Sequence, residues 1–203
     1  MHKYIVLIIF LCCISATSFS YEKMTLMEDG LKNGGFVGGS VKMSQLNGAW
    51  FAMGGYRLAW VINEHFTFGA AYYDLLKQAT HFDLYVPPEA QPPGAKRHLI
   101  QTNYAGMELG YIGSPEKIIF FSVYTLLGLG HLQYVEPDFL TATRDDRFVF
   151  AEPSVDVNLN LSSKIKFAAS VGYRLVSGIK ATGMSDQDMT GPTYTASIII
   201  GSF

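Results

Sequence analysis

The chain has 203 residues, of which 49% are apolar and only 16% charged, with a formal net charge of −2. That is room for one domain rather than two. The charged share falls below the roughly 25% of a typical soluble domain, and the near-neutral balance excludes the clustered basic footprint of a nucleic-acid binder. Beyond the N-terminus no run approaches the ~20 continuous apolar residues of a membrane helix, so low charge combined with abundant Gly, Tyr and Phe points to strands that are apolar on one face.

The first twenty residues read as a cleaved signal peptide. His2 and Lys3 give a basic start, residues 4–14 an apolar core too short to span a bilayer, and residues 15–20 a small, mostly polar stretch ending at Ser20. Cleavage there starts the mature chain near Tyr21 and removes both cysteines, Cys12 and Cys13, which excludes disulfides and thiolate metal sites from what remains. Residues 21–33 are expected to be a periplasmic N-terminal segment, and residues 34–203 the folded unit.

Turn signals divide that unit into eight runs: 35–43, 48–62, 65–76, 99–112, 117–133, 147–161, 164–177 and 192–203. Tight turns at Asn63-Glu64, at 113–116 and at Ser162-Ser163 alternate with longer polar loops at 77–98, 134–146 and 178–191, while the first loop, 44–47, is short and breaks the pattern. Short turns at one end and long loops at the other are what a membrane barrel shows, with turns in the periplasm and loops outside. The expected fold is all-β: a closed, antiparallel, up-and-down transmembrane β-barrel of about eight strands.

The alternation within the strands supports this. In the second run Trp50, Ala52, Gly54, Tyr56, Leu58 and Trp60 share a face. In the sixth, Glu152, Ser154, Asp156, Asn158 and Asn160 oppose Pro153, Val155, Val157, Leu159 and Leu161. In the seventh, Ile165, Phe167, Ala169, Val171, Tyr173 and Leu175 oppose Lys164, Lys166, Ala168, Ser170, Gly172 and Arg174. A period of two over ten residues is a strand, not a helix. Trp50 and Trp60 lie on one face, roughly 33 Å apart along a strand at ~3.3 Å per residue. A tilt of ~40° leaves about 25 Å of height, the thickness of an apolar band between aromatic girdles. The alternative is two ordinary core tryptophans. The final aromatic residue, Phe203, ends an apolar strand in the way that barrel-assembly machinery reads.

The stretches Gly34-Gly35-Phe36 through Ser44-Gln45-Leu46-Asn47-Gly48, Trp60-Val61-Ile62-Asn63, Glu152-Pro153-Ser154-Val155 and Tyr173-Arg174-Leu175-Val176-Ser177-Gly178 resemble a family of uncharacterised small outer-membrane β-barrel (porin-like) proteins. The resemblance spans nearly the whole mature chain and implies fold and location; it implies no activity.

By parity the charges facing the lumen are Arg57, Glu108, Glu152, Asp156, Lys166 and Arg174. Eight strands leave an interior that side chains fill, and enclosed charges have to be paired. The expected arrangement is a structural network, with a proton path or an acid/base pair as the alternative. The turn at Ser162-Ser163 sets a register that places Leu161 opposite Ile165 and Glu152 opposite Arg174, and a Glu152–Arg174 ion pair follows as an expectation.

Catalytic groupings are harder to find. His65, His81, His98 and His131 fall at strand ends or in loops, without the adjacent Ser that a lipid-acylating or deacylating barrel would use as a nucleophile. No His-x-His or His-Glu-x-x-His spacing marks a metal site, and Gly34-Gly35 and Gly38-Gly39 lie in a strand rather than before a helix. No cofactor is expected. Pro87-Pro88 and Pro92-Pro93 make the 77–98 loop either a stiff tip or a protein-recognition segment. Arg144-Asp145-Asp146-Arg147 reads as a solvated loop end.

The sequence therefore suggests a non-enzymatic outer-membrane barrel with a structural or surface-interaction role, seated in outer-membrane lipid, inserted by the assembly machinery, and meeting an extracellular ligand or protein through its loops. The competing readings are a lipid-modifying barrel enzyme and a soluble, lipocalin-like barrel that binds ligand on an apolar inner face.

Overall fold

The computed structural model describes residues 32–46, 49–76, 99–135, 142–180 and 184–203. The leader, most of segment 21–33 and the whole 77–98 loop, with its proline pairs, His81 and His98, lie outside the described residues. Lys32–Phe203 forms one compact unit.

Eight strands make up that unit: β1 Asn33–Leu46, β2 Ala49–Ile62, β3 Phe66–Leu75, β4 Leu99–Ile112, β5 Ile119–Val135, β6 Ala142–Asn160, β7 Ile165–Ser177 and β8 Gly191–Ser202. Each pairs antiparallel with its neighbour in sequence, and β8 pairs back onto β1, so the sheet closes as an up-and-down barrel. Closure leaves no unpaired sheet edge within the wall, the condition for a sheet in hydrocarbon. One short helix, α1 Asp186–Met189, interrupts the last connection. Its start is fixed by Asp188, whose Oδ2 accepts the Ser185 backbone N–H at 2.7 Å.

The turn-end connections follow from local chemistry. Asn63 and Glu64 both adopt positive φ, 52° and 61°, the left-handed pair of a tight hairpin turn. The next turn is longer than the sequence suggests, because Lys117 and Ile118 belong to it. The Asn160 Nδ2 amide donates to Pro115 O at 2.9 Å and Lys117 O at 2.6 Å, tying this turn to the end of β6. At the other end β5 and β6 run on past the expected limits to Val135 and Ala142, so that the backbone of Arg144-Asp145-Asp146 pairs with residues 132–134 of β5. A backbone ladder needs no apolar side chains, which is why the polar sequence reads as loop.

The β6–β7 register is the one the turn implied. Val149 opposes Ser177 above a gap in the ladder, and Ser154 opposes Gly172 below it. The gap falls at Glu152-Pro153, where proline has no N–H to give.

Alternation sorts the residues into two chemistries. Outward on the strands lie Val37, Val41, Tyr56, Leu58, Trp60, Phe66, Phe121, Leu129, Val171, Ile198 and their neighbours, each exposed by about half. Among the described outward-facing strand residues only Asp74 and Arg147 carry charge, and both stand at the loop end. So large an apolar belt is the surface of a protein seated in lipid. A soluble barrel with its apolar face turned inward would show the reverse. Inward lie three layers. At the loop end Leu46, Phe51, Met53, Tyr73, Tyr104, Leu132, Phe148, Phe150, Met184 and Met189 cluster; at the turn end Phe36, Val61, Ile112, Phe120 and Ile199 cluster. Lys42, Arg57, Glu108, Glu152 and Asp156 lie between, while Arg174 reaches the loop-end cluster and Lys166 the turn-end one. Inward glycines make room for the rings: a Cβ on Gly130 would stand 2.1 Å from the Phe148 ring, and one on Gly110 2.2 Å from the Tyr124 ring.

Candidate functional site: the charged layer of the lumen

The six lumen charges read from parity all point inward and are buried, with 4% or less of each residue exposed. Three of them meet. Arg57 donates from Nη2 to Glu108 Oε1 at 3.0 Å and from Nη1 to Asp156 Oδ2 at 3.1 Å, so one guanidinium from β2 joins carboxylates on β4 and β6. The Tyr124 ring lies 4.6 Å from its centre, and Ser170 Oγ donates to Asp156. This geometry satisfies the fork of donors that arginine presents.

Glu152 behaves differently from the sequence expectation. Its Oε1 accepts from Lys42 Nζ at 2.5 Å and from Thr193 Oγ1 at 3.2 Å. The Lys42 ammonium also stands 3.6 Å over the Tyr73 ring. The register does bring Arg174 opposite Glu152, but no Glu152–Arg174 ion pair forms. Arg174 turns toward the loop end instead, donating from Nε to Met189 O at 3.0 Å and from Nη2 to Gln45 O at 3.2 Å. Residues opposed on neighbouring strands share a height, not an orientation, and the guanidinium finds one carbonyl at the end of the short helix and one on β1, while the carboxylate is already held by lysine. Arg174 thus fastens α1 over the lumen, where Met184 and Met189 complete the loop-end apolar layer. The same segment accepts the Val176 N–H on Thr190 Oγ1 at 3.0 Å.

Lys166 stands apart from the network. Its ammonium lies 3.2 Å from the Phe203 ring centroid and 4.7 Å from that of Phe120. Phe203 is turned into the lumen, stacked 5.7 Å from Phe36. Trp60 lies outward near the turn end, and Trp50 lies at the loop end, 5.6 Å from Tyr194. His65 Nδ1 is 2.8 Å from Ile112 O at a turn, and His131 lies on the outer face of β5. Among the described residues no group of three or more His, Cys, Asp or Glu could hold a metal ion.

Lys42, the main partner of Glu152, is not among the six charges named from the sequence, although its parity marks it as inward. Ser40, Lys42 and Ser44 alternate with Val41 and Met43 as clearly as the residues of the sixth run do. The α1 plug gave no such periodic signal.

What remains open inside the charged layer is a cavity of about 20 Å³ lined by Lys42, Arg57, Glu108, Tyr124, Glu152 and Ser170 among others. That is about one water's worth of space. With an apolar layer above and below, the described lumen is a packed core and not a conduit.

The chain is similar in fold to solved surface proteins. It matches Neisserial surface protein A (NspA) with a TM-score of 0.57 and 10% identity, over 85% of this chain and 99% of that one. It matches Ail, the attachment invasion locus protein of Yersinia pestis, at 0.48 and 9%, over 83% and 97%, and the outer membrane protein OprG from Pseudomonas aeruginosa at 0.39 and 11%, over 83% and 93%. No protein-family model and no curated sequence matches the chain. The fold is that of a small, eight-stranded outer-membrane β-barrel.

Proposed function

We propose that the protein is a non-enzymatic outer-membrane barrel, closed to diffusion, whose scaffold holds its loop-side segments at the cell surface for contact with a ligand or partner. The single observation that carries this is the filled lumen: Lys42, Arg57, Glu108, Glu152 and Asp156 are held in ion pairs, Arg174 by carbonyls and Lys166 over aromatic rings, with apolar clusters at both ends. A rigid, filled barrel leaves recognition to its loops. Residues 1–20 serve as the export signal in this reading and residues 21–33 as a periplasmic segment. Trp50 and Trp60 mark the two lipid interfaces. Phe203 contributes to the strand that the assembly machinery reads, and the lumen charges Arg57, Glu108, Glu152, Asp156, Lys166 and Arg174 serve structural roles, in ion pairs, on carbonyls or over rings.

Two measurements test it. The full-length protein is expected to require detergent for extraction and to migrate faster in a gel when unheated than when boiled; recovery as a soluble periplasmic protein would overturn the membrane reading. Shortening the 77–98 loop is expected to keep that heat-modifiable mobility while removing adhesion or binding by intact cells. Retained binding in the shortened protein, with loss on Glu108→Gln in a still folded barrel, would move function into the lumen.

A further inference from the structure

The outer face of the barrel is uneven at its loop end. There β1 and β2 present Met43, Gln45 and Trp50, while β7 and β8 present Leu175, Ser177 and Tyr194, without a formal charge among them. The four strands between are different. Asp74 of β3 opposes Asn103 of β4, Asn103 opposes His131 of β5, and His131 opposes Arg147 of β6. These four side chains, all outward by parity, form one unbroken row. With strands ~4.8 Å apart, the row is about 14 Å long. Gln101 and Gln133, paired with each other, lie in the next row toward the loops.

The row just below, toward the turns, is Tyr72, Ala105, Leu129 and Val149, in the same register. One step of two residues, about 6.6 Å along a strand, therefore changes the wall from apolar to polar across four strands at once. The row also climbs: Asp74 stands eight residues from the turn-side end of its strand at Phe66, Arg147 thirteen from Asn160. Asp146, next to Arg147, is occupied with backbone groups, accepting the Arg147 N–H at 2.9 Å and the Lys180 N–H at 2.6 Å. Asp74 accepts the Leu75 N–H at 2.9 Å.

We propose that this wall binds the phosphorylated sugar headgroup of a lipid in the outer leaflet, with acyl chains against the row of Tyr72 to Val149 and the headgroup along the row of Asp74 to Arg147. Each residue type suits that chemistry. Arginine forks onto phosphate oxygens, and a histidine at the neighbouring position adds a ring N–H. Asn103, Gln101 and Gln133 offer both donors and acceptors to sugar hydroxyls, and Asp74 accepts from them. A free sugar phosphate would leave the apolar row beneath unused, and that continuity singles out a lipid. The proposal rests on the outer-membrane reading above.

The test uses the full-length barrel purified in detergent, with unheated gel mobility as the check on folding. Lipid A carrying its phosphates is added, unbound lipid is removed, and retained lipid is counted by native mass spectrometry. The wild-type protein is expected to retain the phosphorylated lipid, and the double variant His131→Gln/Arg147→Gln about tenfold less, equivalent to about 1.4 kcal/mol. Arg147→Lys alone keeps most of the binding, and Ser177→Ala, on the other wall, keeps all of it. Equal retention by the double variant overturns the proposal. So does equal retention of the dephosphorylated lipid, or full displacement by millimolar inorganic phosphate, which would make the site one for a free anion. A barrel that needs no detergent would instead defeat the membrane reading on which the proposal stands.

Discussion

The charged layer and the loop-end plug occupy the same lumen, are equally buried, and are held by opposite physics. In the charged layer a few directional contacts fix which atom meets which: Arg57 between Glu108 and Asp156, Lys42 on Glu152. In the plug, Phe51, Phe148, Phe150, Met184 and Met189 meet by shape, and direction comes from the contacts of Arg174, Thr190 and Asp186 at the edge of the segment. The first arrangement is unforgiving, because a lost partner leaves a buried charge unpaired. The second tolerates exchange of one apolar side chain for another of similar volume. A small barrel thus places its brittle contacts at mid-height, where they pin the strands together, and its forgiving ones at the end, where a loop folds in.

That contrast is sharpest at Arg57. Arg57→Ala is expected to destabilise the barrel by about 3–5 kcal/mol, since two buried carboxylates lose their shared cation. Urea unfolding in micelles measures it. The combined change Arg57→Met, Glu108→Gln and Asp156→Asn should recover much of the loss, and a single-variant loss below about 1 kcal/mol would class the network with surface pairs.

Double-mutant cycles at Glu152 test which partner matters. Glu152→Ala with Lys42→Ala is expected to show a coupling of about 2–3 kcal/mol, near the upper end for contacting groups. The cycle of Glu152→Ala with Arg174→Ala should be close to additive, within about 0.5 kcal/mol, because Arg174 donates from Nε to Met189 O and from Nη2 to Gln45 O and makes no ion pair with Glu152. The reverse ranking would restore the pair that register alone suggests. Arg174→Ala should also speed amide exchange across residues 185–190 without slowing barrel closure.

The plug should respond more gently. Met189→Ala is expected to cost about 2 kcal/mol, the low end for a buried methionine, and Met189→Leu less than about 1.5 kcal/mol. If Met189→Leu costs as much as losing an ion pair, the plug is as specific as the layer beneath it.

The smallest effect lies at the turn end. Glu64 holds φ at 61°, a region glycine enters freely, so Glu64→Gly is expected to stabilise by about 0.5–1 kcal/mol. The exposed Lys32–Glu64 contact at 2.9 Å that it removes offsets little of this. A net loss in thermal unfolding would show that the ion pair outweighs the backbone strain.

Much of this was legible in the residues. Parity named the inward charges because a strand's side chains alternate whatever lies across the barrel, and the tight turn at Ser162-Ser163 carried the β6–β7 register. The β5–β6 hairpin extends beyond the runs the sequence marks because backbone pairing there does not depend on side-chain polarity, and polarity is what signals a loop. Lys42 carries the same period-two signal on β1 that marks the inward charges of the later strands.

The sequence by itself determined the two faces of each strand, the eight-strand count and the end at which the turns lie, since each depends on local period or local turn chemistry. Tertiary structure decided the partners. Lys42 of β1 meets Glu152 of β6 across the lumen, and Arg57 of β2 reaches both β4 and β6. Such contacts depend on the stagger accumulated around the closed sheet, which no single strand encodes. The polar row from Asp74 to Arg147 exists for the same reason: four residues far apart in the chain become neighbours only once every register between them is fixed.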